Sequence, residues 1–179
     1  MSGIMPRGTR QLLLPASPFF IWASLFLALL LNMAQSFLVL GRASWCPDWL
    51  LIILVFWSTH QPQRVGMGAA FFFGFLMDIH QTALLGQHAL SYTLVSFFAI
   101  TLHNRILWFK TTTQALQLLP VFALTHSIDL LMRLGFGNDW PDWGLLFAPM
   151  LESFFWPIVS FLLLLPQRRS PDPDVHRPL

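Results

Sequence analysis

The stretch "FFIWASLFLALLLNMAQSFLVL", Phe19 to Leu40, decides the class of fold. It holds no charged side chain, and about 20 such residues in a helix cross the hydrocarbon core of a bilayer. Arg7 and Arg10 precede it, in the manner of a signal peptide. The run is too long for a typical signal core and shows no small-x-small cleavage site, so it reads as a retained signal anchor.

The whole chain agrees with that reading. Of its 179 residues 55% are hydrophobic and only 10% are charged, against roughly 25% charged in soluble domains. A soluble fold needs more polar surface than this, whereas a helix in lipid can be apolar on every face. The net charge of +2 is small and its cations are scattered over short connections, which argues against nucleic-acid binding. One cysteine, Cys46, excludes an internal disulfide and a multi-cysteine metal site.

The expected architecture is therefore an all-α integral membrane protein. Six transmembrane helices are predicted over 19–40, 48–58, 65–79, 85–102, 113–133 and 144–165, forming one domain from 19 to 165. A short cytoplasmic segment, 1–18, precedes it, and the proline-rich tail 166–179 is expected to be disordered. The second segment rises only about 16 Å as a helix, half the hydrocarbon thickness. It must extend through its flanks, tilt, or lie against neighbouring protein.

Charge arbitrates between six crossings and a re-entrant hairpin. With six crossings and both termini inside, Arg42 and Arg133 alone fall outside, and the other eight of the ten basic residues are cytoplasmic. A re-entrant pair would leave Arg64 within the bilayer at a cost of several kcal/mol. At the outer boundary stand Asp48, Asp139 and Asp142, with Pro47 and Pro141 to open the second and sixth helices. Trp45, Trp49, Trp140 and Trp143 gather at the same level, and Trp108 at the inner one, as interfacial anchors.

Polar groups inside such helices carry the most information, because they face the bundle interior or a cavity. Asp78 ends the third segment behind "GMGAAFFFGF". It is expected to cap a neighbouring helix or to bind amides of the loop "HQTALLGQHAL", the other reading being a substrate or proton ligand. His80 and His88 lack the further ligands that a metal site needs, and His88 reads as a hydrogen-bonding group at the start of the fourth helix. His126, Asp129 and Arg133 share one helix face, with Asp129 and Arg133 spaced to pair. Glu152 has no charged neighbour at helical spacing, so its partner must come from water or another helix, with Arg133 or His126 as candidates. Asn32 and Gln35 are expected to hydrogen-bond between helices. Pro120 and Pro157 are expected to kink the fifth and sixth helices. Neither a zinc-protease H-E-x-x-H pair nor a G-x-S-x-G nucleophile elbow is present, and no metal or cofactor is expected.

The order of motifs points to a particular family. "PDWLLIILVFW", Pro47 to Trp57, followed by "RVGMGAAFFFGFLMDIHQTALLGQHALSYTL", Arg64 to Leu94, resembles the MreD family of rod shape-determining membrane proteins. Gly74 and Asp78 match that family's glycine and acid in the third helix; Leu85, Gly86, Ala89 and Leu90 match the opening of its fourth. The resemblance implies a non-enzymatic inner-membrane partner of MreC, linked through it to MreB, RodA and penicillin-binding protein 2, and thus to lateral peptidoglycan synthesis. It also implies a fold similar to the substrate-binding components of energy-coupling-factor vitamin transporters. Under this reading Gly66, Phe73, Gly74, Asp78 and Gly86 are candidates for partner binding or helix packing, with a lipid-facing groove around Gly66, Phe73 and Gly74 expected to receive MreC. His88, His126, Asp129, Arg133 and Glu152 are candidates for an intramembrane polar network.

Two other classes stay open at this stage. A transporter substrate-binding component would line an outer pocket with Asp78, His88, Trp49 and Glu152. An intramembrane enzyme acting on lipid-linked wall precursors would converge His126, Asp129 and Glu152 on a polar cavity.

Overall fold

The structure is a computed structural model that describes residues 16–38, 46–81, 85–135 and 143–167, apart from the side chains of 36–38, 133 and 143. Among the described residues six α-helices follow one another: α1 Pro18–Leu38, α2 Trp49–His60, α3 Met67–Gln81, α4 Gln87–Trp108, α5 Thr111–Gly135 and α6 Ala148–Leu164. Short 3₁₀ turns, Trp143–Leu146 and Leu165–Gln167, bracket α6. Among the described residues three stretches are long and apolar enough to cross a membrane: Pro18–Gln35, Thr111–Met132 and Gly144–Gln167. The outer anchors Trp45 and Trp140, the acids Asp139 and Asp142, and the tail from 168 onward lie outside the described residues.

The short α2 is the axis of the bundle. Leu50, Leu51, Ile52, Leu54, Val55, Phe56 and Trp57 are all fully buried, because α1, α4 and α6 pack around it. A helix enclosed by protein needs neither a lipid-facing side nor the full bilayer length. Its brevity is thereby explained without tilting. Polar contacts fasten it within the apolar packing: Trp57 Nε1 donates to Ser24 Oγ of α1 at 2.8 Å, and Ser58 and Ser96 share a bond to α4 at 3.0 Å.

The outer helices carry their apolar residues outward as well. Phe26, Leu30, Phe71, Phe75, Phe97, Phe154 and Phe161 are all exposed, a pattern that water would penalise and hydrocarbon does not. α4 continues past Leu102 to Trp108, since His103, Asn104 and Arg105 are polar without being helix breakers. The final residue of that helix, Trp108, is 87% exposed. The segment from Gly144 starts as a 3₁₀ turn, and α6 itself begins at Ala148 with Pro149 in its first turn, where a missing N–H costs nothing. α5 and α6 continue through Pro120 and Pro157. Where α2 gives way to α3, Arg64 Nη1 donates to Ala16 O at 2.5 Å and ties that turn to the foot of α1.

Candidate functional site

Two carboxylates organise the opposite end of the bundle, where α1 finishes and α2 begins. The first is Asp78. α4 opens at Gly86, whose φ of 99° is left-handed and which supplies no side-chain cap, so its first amides need an acceptor from elsewhere. Asp78 provides it from α3. Its Oδ2 accepts the N–H of Gly86 at 3.0 Å and of Ala89 at 3.2 Å; its Oδ1 accepts the N–H of His88 at 2.8 Å and lies 2.9 Å from His88 Nδ1. A carboxylate at a helix N-terminus is further favoured by the helix dipole.

The same seam explains Gly74. A Cβ placed there would lie 2.5 Å from His88 O and 2.6 Å from Ala89 Cα, so α3 and α4 touch backbone to backbone. This corrects the expected partner groove. Gly74 is covered by α4, and Phe73 is fully buried, packed on Trp22 and Phe26 of α1 with ring centroids 6.2 and 5.4 Å away. Gly66 has only Pro62 O near its missing side chain, at 3.8 Å, and its carbonyl receives the N–H groups of Ala69 and Ala70 as α3 starts. Gly74 and Phe73 thus face neighbouring helices, while Gly66 is half-buried at the start of α3.

The second carboxylate is Asp48, which the sequence marked only as an acid at a helix start. It is the N-cap of α2, its side chain accepting the N–H of Leu51 at 2.9 Å. Asn32 of α1 bridges twice, donating to Asp48 Oδ1 at 2.5 Å and accepting the N–H of Trp49 at 3.0 Å. Tyr92 of α4 donates its hydroxyl to Asp48 Oδ2. The N–H of Asp48 donates to Glu152 Oε1 of α6 at 3.2 Å, and the same oxygen lies 2.9 Å from His126 Nε2 of α5. Five helices thus meet through one cap residue.

Sequence-predicted residues divide between these two centres. Glu152 meets His126, while His88 belongs with Asp78. Asp129 is buried one turn beyond His126, and the side chain of Arg133 lies outside the described residues. Asn32 bridges helices, whereas Gln35 Oε1 is buried with no hydrogen-bond partner among the described residues. Trp49 packs its ring on Phe155 at 5.0 Å. Tyr92 was overlooked, although it is the single tyrosine of the chain and stands one turn after His88. Among the described residues no group of three or more His, Cys, Asp or Glu side chains could hold a metal ion.

Chemically, both centres set donors against carboxylate oxygens, and charge-assisted bonds of this kind are the stronger class of hydrogen bond. What the fold defines is a helical membrane bundle whose buried acids join helices. A family model for rod shape-determining protein MreD matches residues 16–165. The chain is also 27% identical over 128 residues to rod shape-determining protein MreD of Haemophilus influenzae, covering 69% of this chain and 76% of that one. No solved structure matches. The chain belongs to the MreD family, whose role is rod shape determination in bacterial membranes.

Proposed function

We propose that the protein is a non-enzymatic scaffold of the elongation machinery, placed in the inner membrane by six crossings with both termini cytoplasmic. It acts by holding the membrane segment of MreC, and through MreC it supports lateral peptidoglycan synthesis alongside MreB, RodA and penicillin-binding protein 2. Membership of the MreD family supports this reading. The uneven helices, with a short α2 enclosed by longer neighbours, also favour a fold similar to the substrate-binding components of energy-coupling-factor transporters.

The observation that carries the partner assignment is the aromatic surface of α1 and α3. Trp22 and Phe26 on α1 and Phe71, Phe72 and Phe75 on α3 are exposed, and the two helices are bridged beneath them by Phe73. Large aromatic side chains on adjoining helices give a second transmembrane helix extensive van der Waals contact, which drives association in lipid. Gly74 of α3, which would otherwise be a candidate, is covered by α4.

The test is a double substitution, Phe71→Ala with Phe75→Ala, on side chains 55% and 41% exposed. Co-purification of MreC should fall several-fold while membrane insertion and melting temperature stay unchanged. Undiminished recovery of MreC would remove this surface from the interface. Depletion in a rod-shaped host should give rounded cells that the wild-type chain restores and the double variant restores poorly.

A further inference from the structure

Among the junction residues, one histidine and one carboxylate form a buried pair. His126 Nε2 lies 2.9 Å from Glu152 Oε1, with the imidazole 14% exposed and the carboxylate side chain wholly enclosed. The imidazole is thus the more accessible member of the pair. The bond is continuous with the rest of the junction, because Glu152 Oε1 also accepts the N–H of Asp48, and Asp48 holds Asn32 of α1 and Tyr92 of α4. Glu152 Oε2 is buried with no hydrogen-bond partner among the described residues. Its carboxylate thus depends on the bonds made through Oε1.

The surroundings are acidic. Asp48 of α2, Tyr92 of α4 and Asp129 of α5 are the titratable groups in electrostatic reach of the pair, and α1 contributes the neutral amide of Asn32. One imidazole accordingly stands among three carboxylates and a phenol.

We propose that His126 and Glu152 form a proton-operated latch that fastens α5 and α6 to the Asp48 junction, so that the packing of this end of the bundle follows pH. With one proton on the pair, imidazolium donates to carboxylate and their charges cancel. Remove that proton, and a neutral imidazole faces an anion that Asp48 repels across a low-dielectric interior. The bond keeps its ionised acceptor but loses its cationic donor, and with it the ion-pair attraction that offset the enclosed charge. The latch is closed while the pair holds its proton and loosens when rising pH removes it.

The experiment is thermal unfolding of the full-length protein in nanodiscs between about pH 5 and 9, which spans the range of about pH 5 to 8 in which histidine ordinarily titrates. One proton linked to opening changes the unfolding constant by at most about tenfold per pH unit. The wild type should become less stable with rising pH, and His126→Gln and Glu152→Gln should each flatten that slope. His88→Gln, which alters the separate pair with Asp78, should leave it in place. A flat wild-type profile, or a slope that His88→Gln removes and His126→Gln keeps, overturns the latch. Should both junction variants fail to fold, amide exchange in the wild type decides: corrected for intrinsic rates, opening of the turns around His126 and Glu152 must rise with pH, and a constant opening refutes the proposal.

Discussion

Substituting Gly74 by alanine adds a single methyl group at the tightest point of the bundle. That carbon would lie 2.5 Å from His88 O, 2.6 Å from Ala89 Cα and 2.7 Å from His88 C. All three are backbone atoms of α4, so no side chain can rotate away. Carbon atoms rest at about 3.5–4.0 Å, and α3 must therefore retreat from α4 by roughly 1 Å. Overpacking of this sort costs about 1–3 kcal/mol. The retreat also pulls Asp78, one turn further along α3, away from the three amides that it accepts at 2.8–3.2 Å. The combined effect is expected to be about 2 kcal/mol or more, a fall of roughly 4–8 °C in melting temperature for a chain of this size. Unfolding in detergent micelles measures it, and a double-mutant cycle with Asp78→Asn should show coupling above about 0.5 kcal/mol. If Gly74→Ala melts within 1 °C of the wild type, α3 and α4 do not meet backbone to backbone, and the account of the seam is wrong.

Tyr92→Phe removes one donor from Asp48 and keeps the ring in place; the loss of a hydrogen bond to a charged acceptor is expected to cost about 1.5–3 kcal/mol, read in the same melting assay. In the background Asp48→Asn that cost should shrink, because the acceptor is then neutral. Gly86→Ala places a side chain at φ 99° in open space, so strain alone acts, and a loss of about 1–2 kcal/mol is expected. A melting temperature unchanged by Gly86→Ala would contradict the left-handed turn.

Asp78 shows how far local sequence reaches. Its position at the end of one helix, eight residues before a glycine turn and the next helix start, makes a capping role legible, because the groups involved are all within eleven positions of each other. Gly74 was legible only as a small residue that permits close approach. Whether it served a partner or a neighbouring helix depended on what lay opposite, and that proved to be α4. Asp48 was read correctly as an acid at a helix start, yet nothing near it in the chain announced Asn32, Tyr92 and Glu152. The helix limits behaved similarly, with α4 running on to Trp108 because polar residues can extend a helix once its apolar part is anchored.

What the sequence by itself determined is the solvent and the secondary structure. Hydropathy is a local quantity, and a backbone in lipid must satisfy its own hydrogen bonds, so long apolar runs become helices whatever their neighbours. Only the tertiary structure decided which helix occupies the centre and which acid meets which donor. Asp48 and Glu152 are 104 positions apart, and Asp48 and Tyr92 are 44 apart. No periodicity or spacing encodes such a meeting; it follows from how the helices share their buried surfaces, and from the cost of enclosing a polar group without a partner.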